Sequence, residues 1–114
     1  MASVLLDDIE EMYLNSFCFG YRLNSTDILS PYFARFLFRS KNFRTEIIKL
    51  AQGSTRYNMS KIEMMKIEVH LPCLTEQILI ADFLTSIEDK IVTEKQILDQ
   101  YKNQKAYLLQ NMFI

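Results

Sequence analysis

The sequence predicts an α+β fold: a small N-terminal body of short strands and a helical pair over residues 1–74, then one long coiled-coil helix over 75–114. Three observations carry this expectation. From Thr75 to Ile114 there is neither Gly nor Pro, and apolar residues recur in alternating steps of four and three, the period of a coiled-coil seam. Around Ser30-Pro31 a hydroxyl residue precedes Pro at a helix start, and Tyr32, Phe33, Phe36 and Leu37 follow at helical spacing. Phe17–Leu23 is aromatic and β-favouring, while Lys66–Leu71 alternates polar and apolar as a half-buried strand does.

Along the chain, Met1–Glu11 reads either as a short strand end with a turn or as a frayed terminal segment. A strand is expected over about Phe17–Leu23, with Gly20 as a bulge or point of close approach. Asn24-Ser25-Thr26-Asp27 supplies turn chemistry. The first helix is expected from Pro31 to about Arg39. The second spans about Asn42–Ala51, with Gly53 where a C-terminal glycine belongs and Lys49 suited to the helix dipole. Ser60 caps a single turn through Lys61–Met65, with Glu63 three residues on. The strand over Lys66–Leu71 ends at Pro72. Thr75 then serves as N-cap of the long helix, with Glu76 in its first turn.

That helix, about 38 residues and about 57 Å at 1.5 Å per residue, cannot bury its apolar stripe against so small a body. No second long helix is left in the chain, so the expected partner is a second molecule. The seam runs through Ile80, Leu84, Ile87, Ile91, Glu94, Leu98, Tyr101, Lys105, Leu108 and Met112. Of these, Ile80, Leu84, Ile87, Ile91, Leu98, Tyr101 and Leu108 are the candidate dimer interface. Glu94 and Lys105 interrupt it. Either they sit at its margin and reach to water, or they set register or direction, as a polar seam residue can. In an antiparallel pair, Glu94 of one chain approaches Lys105 of the other if the two-fold axis passes near residues 98–101.

The formal charge of −1 hides an asymmetry. Residues 1–30 balance to −4, residues 31–70 to +5 and the remainder to −2. The basic middle third is the part that favours a polyanionic partner. Catalysis is poorly supported: His70 is the single histidine, Cys18 and Cys73 have no metal or redox spacing, and Gly20 and Gly53 make no phosphate cradle. No catalytic residue, metal site or cofactor is expected. The N-terminus has no signal pattern and no run spans a membrane, so a cytoplasmic protein with reduced thiols is expected. Gly53–Asn58 gathers small residues, hydroxyls, an amide and an Arg, the set a DNA-contacting loop needs. Lys61 and Lys66 lie just downstream and suit phosphate. The same composition also describes an ordinary solvated loop.

The order of these features resembles a known family. AQGSTRYN (Ala51–Asn58) follows the helical pair, LPCLTEQ (Leu71–Gln77) leads out of the strand, and ADFL (Ala81–Leu84) and KNQKAYLLQNMF (Lys102–Phe113) belong to the closing helix. Over about residues 17–114 the chain is similar to the C-terminal part of a target-recognition domain and its spacer helix, from the specificity subunit of type I restriction-modification systems. The family junction commonly has Pro-Pro where Pro72-Cys73 stands here. Family recognition domains are longer than the 74 residues ahead of Thr75, so the resemblance implies a truncated domain.

The resemblance implies a non-catalytic DNA-recognition subunit that docks methyltransferase and restriction subunits. It puts Ser54, Thr55, Arg56, Tyr57 and Asn58 on the DNA-binding loop, with Lys61 beside it, and implies an antiparallel homodimer through the spacer helix with at most weak binding of double-stranded DNA. An interaction module that pairs or competes with a full-length specificity subunit, without touching DNA, is the alternative. An unrelated coiled-coil dimerisation protein is a third.

Overall fold

The computed structural model describes residues 2–15, 18–51 and 61–113. Four helices follow in order: α1 (Pro31–Leu37), α2 (Lys41–Ala51), α3 (Lys61–Met64) and α4 (Leu74–Met112). Chain contacts divide it into two units, Met1–Ala81 and Asp82–Ile114.

The α+β expectation is overturned, for no strand is present among the described residues. Residues 18–23 are irregular, and Phe17 lies outside the described residues. Over 66–71 the backbone leaves α3 through turn bonds, Lys66 N–H to Glu63 O at 3.2 Å and Ile67 N–H to Met64 O at 3.1 Å, and then runs without a ladder. The alternation there holds only in part, for Val69 is exposed at 38%. Ile67 and Leu71 are half-buried while Glu68 and His70 are exposed. A strand also needs a neighbouring backbone to take its N–H and C=O groups, and neither expected strand pairs with the other. Gly20 is therefore no bulge, although its backbone does run close to Leu14, whose Cδ1 stands 3.1 Å from where a Cβ would sit.

The first unit is organised around α1. Pro31 occupies the first helical position after Ser30, whose backbone is extended (φ −68°, ψ 132°) and whose side chain makes no capping bond. The Ser30 carbonyl accepts from Ala34 N–H at 2.9 Å. The helix ends at Leu37, short of Arg39, and closes through turn bonds to Phe38, Arg39 and Ser40. Ser40 then caps α2, its Oγ accepting from Phe43 N–H at 3.3 Å. Phe38 and Phe43 meet edge to face at 5.0 Å across this corner, an arrangement the ring quadrupoles favour.

The core comprises Leu29, Phe33, Ala34 and Ala81, with Val4, Leu23, Phe36, Leu37, Phe38 and Leu71 packed against it. Val4 brings in the N-terminal segment, and Arg39 Nε donates to Ala2 O at 3.3 Å. The expected turn is present: Asp27 N–H donates to Ser25 Oγ and that hydroxyl donates to Asp27 Oδ2, each at 3.1 Å. Ala81 is 1% exposed, so there is no room for a longer side chain. Ala81→Leu should overpack this core and lower unfolding free energy by about 1–3 kcal/mol, read from a urea midpoint that moves without a change in slope.

Candidate functional site

The junction into α4 is built on Gln77. Its side chain is wholly buried, a costly place for an amide unless all its groups find partners. They do. Oε1 accepts from Ser30 N–H at 2.9 Å, and Nε2 donates to Ile28 O and to Pro72 O, each at 2.9 Å. One side chain thus ties the entry of α1, the end of the 66–72 segment and the first turn of α4. The Gln77 N–H in turn donates to Cys73 O at 3.0 Å, the first bond of the helix. The helix therefore starts at Leu74, and Thr75 stands inside its first turn rather than capping it. Leu71–Gln77 was legible as a junction, but nothing in the sequence reading gave Gln77 a role. The available signal was an uncharged amide four residues before an alanine, which puts both on one helix face.

Beyond Ala81, α4 has no buried residue as far as Phe113. The seam residues Ile80, Ile87, Ile91, Leu98, Tyr101 and Leu108 are exposed, Leu98 at 51% and Tyr101 at 66%, and Leu84 is half-buried. Ile87, Lys90, Ile91, Glu94, Lys95 and Leu98 line a shallow trough. The opposite line of the helix, every seventh residue, is Asp82, Asp89, Gln96, Asn103 and Gln110, all polar and exposed. The seam line is apolar except at Glu94 and Lys105, and Phe83, Val92 and Leu109 are exposed as well, so the polar line leaves a broad apolar surface uncovered.

In the basic third, Ser54, Thr55, Arg56, Tyr57 and Asn58 lie outside the described residues, as do Gly53 and Ser60. Lys61 opens α3 with its ammonium 5.3 Å from the Phe19 ring centroid. Lys49 pairs with Glu46 at 2.6 Å and Lys66 with Glu63 at 2.8 Å, each pair exposed and three residues apart on its own segment. Arg35 stacks over Phe36 at 4.9 Å. Lys41 and Arg44 are exposed on α2 without an ion pair among the described residues. Among the described residues, Lys49 and Lys66 are thus neutralised by carboxylates on their own segments.

Cys18 and Cys73 are exposed free thiols. Among the described residues no group of three or more His, Cys, Asp or Glu is placed to hold a metal ion, and no helix is long and apolar enough to cross a membrane.

The family model of the type I restriction modification DNA specificity domain matches residues 2–103. The chain belongs to this family. The match takes in the first unit from Ala2 onward, the Gln77 junction and α4 as far as Asn103. It also reaches back through the acidic opening segment, which the resemblance over residues 17–114 had left aside. Comparison with curated proteins and with solved structures finds no match.

Proposed function

We propose that this specificity-domain chain is a non-catalytic DNA-recognition subunit, working as a homodimer through α4 and docking methyltransferase and restriction subunits. The observation that carries the reading is the uncovered apolar seam of α4 within a chain of this family. Exposed Leu and Ile residues in a row forfeit about 25 cal/mol for each Å² left in water, and a second α4 covers them. DNA contact is assigned to residues 54–58 with Lys61, supported by Lys41 and Arg44 as phosphate contacts.

Binding of this kind is electrostatic first, so affinity should fall steeply as salt rises. Titration of duplex DNA across a salt series tests it. Arg56→Ala should weaken binding and reduce the slope of log K against log salt by about one. If both stay unchanged, the loop carries no phosphate contact and that assignment is wrong.

A second reading is favoured by the ion pairs that neutralise Lys49 and Lys66: an interaction module that pairs or competes with a full-length specificity subunit and leaves DNA alone. It expects no retention on duplex DNA even in low salt, together with association through α4.

A further inference from the structure

Resting on the reading that the basic third meets DNA phosphate, we propose that residues 5–15 form an acidic strap along α2 that competes with DNA for Lys41, Arg44 and Lys61. The segment is pinned to the basic third on either side. At its start Ala2 O accepts from Arg39 Nε at 3.3 Å, and Val4 packs on the core. Beyond its end the Lys61 ammonium stands 5.3 Å from the Phe19 ring centroid, a contact of charge with the ring quadrupole. Arg39 precedes α2 and Lys61 opens α3. The far half of α2 meets α3, since Glu46, Lys49 and Leu50 share a cleft with Glu63, Lys66 and Ile67. The two pins therefore stand toward opposite ends of α2.

Between the pins come Asp7, Asp8, Glu10 and Glu11, with no base before Arg22. The 11 residues of α2 make a helix about 16 Å long, whereas residues 5–15 reach up to about 36 Å when extended. The strap has length enough both to lie along α2 and to lift off it. It is also loosely held. Leu5, Leu6, Ile9, Met12, Tyr13 and Leu14 are all exposed, and the backbone over 5–15 is irregular. Among the described residues none of the four acids is in an ion pair with a base. Segments with so few buried contacts open at low cost.

Charge gives the strap its effect. A carboxylate attracts an ammonium as strongly as it repels a phosphate charge at the same separation, and both act within a Debye length of about 8 Å at physiological salt. Tethering on both sides keeps the four carboxylates near the α2 bases at a high effective concentration. An incoming anion must first displace them. Duplex DNA, with about one charge for each 1.7 Å of its axis, is dense enough to do so, whereas a sparsely charged anion is not. The strap thus sets a threshold on what the basic third binds, and it moves aside when DNA is bound.

Four full-length chains test this by titration with one duplex across a salt series. They are the natural sequence, a strap-neutral chain (D7N, D8N, E10Q, E11Q), a control with four α4 acids outside the seam neutralised (D82N, E88Q, D89N, D99N), and Phe19→Ala. The strap-neutral chain should bind roughly tenfold tighter at low salt. Its affinity should also fall more steeply with salt, which no longer weakens a competitor. Phe19→Ala alters no charge but frees the far pin, so it should tighten binding by about threefold. The control should stay within about twofold of the natural chain. Binding by the strap-neutral chain alone supports the strap in its strongest form. A control that tightens as much as the strap-neutral chain, or a Phe19→Ala chain that binds no better than the natural one, overturns the strap and leaves the DNA reading intact. Failure of both the natural and the strap-neutral chain to bind overturns the DNA reading, and the strap with it.

Discussion

Gln77→Leu lowers the unfolding free energy of the first unit by about 3 kcal/mol, read from urea denaturation. The substitution keeps the volume and removes every polar atom that satisfies Ser30 N–H, Ile28 O and Pro72 O. A buried donor or acceptor stripped of its partner costs about 1–3 kcal/mol, and the two carbonyls are partly accessible to water, which keeps the total near the lower end. Gln77→Glu is the sharper experiment. An ionised carboxylate there can still accept from Ser30, but it has no hydrogen to give and faces two carbonyl oxygens. Its protonated form recovers one donor. The carboxyl of this variant therefore has its pKa raised by folding above the usual value of about 4.3. A raised pKa contributes stability that is fully present below the unfolded value and is lost as pH rises through the folded one. Relative to the natural chain, Gln77→Glu should lose stability steadily above about pH 4 and regain most of it in acid. A flat pH difference between the two proteins would show that Gln77 is not held between those carbonyls.

Leu98→Asp abolishes self-association. In the proposed pair Leu98 occurs twice, so the change removes two buried leucines and inserts two charges. At about 1.5–3 kcal/mol for each leucine, the loss amounts to a Kd weaker by about a hundredfold to ten-thousandfold before the two charges are counted. Light scattering should give twice 13.5 kDa for the natural chain and the single mass for the variant. Helicity should follow. Residues 82–113 have no buried side chain to hold them, and isolated helices in water rely on tertiary packing rather than propensity. Far-ultraviolet circular dichroism should therefore weaken on dilution of the natural chain and be weak at all concentrations for the variant. A dimeric Leu98→Asp chain would place the interface elsewhere.

Local rules were legible wherever the signal was local. Ser30-Pro31 marked the start of α1 because Pro at the first helical position loses no hydrogen bond, and the unbroken run from Thr75 onward marked α4 to within a residue at its start. Both strand expectations failed for a common reason. At Lys66–Leu71 the alternation matches the half-burial of Ile67 and Leu71 but not the exposure of Val69, and a strand is in any case a relation between two backbones. The Ser40 cap and the Gln77 junction were missed because each depends on a tertiary fact. Gln77 bonds to residues 47 and 49 positions away, and no spacing rule spans that distance. The seam residues lie on one continuous helix, Leu74–Met112, as expected.

The bonds from Gln77 to Ile28 and Ser30 close a ring of chain. Everything from α1 through α3 is strung between two ends that one amide holds together. For a flexible segment the entropy of closing such a ring grows only with the logarithm of its length, about 0.6 kcal/mol for each doubling. Inserting residues between α2 and α3 thus lengthens a ring whose clasp is made elsewhere. The clasp and the long helix that follows can stay constant while the segment between them is rewritten, a division of labour that lets new sequence be tried without refounding the scaffold.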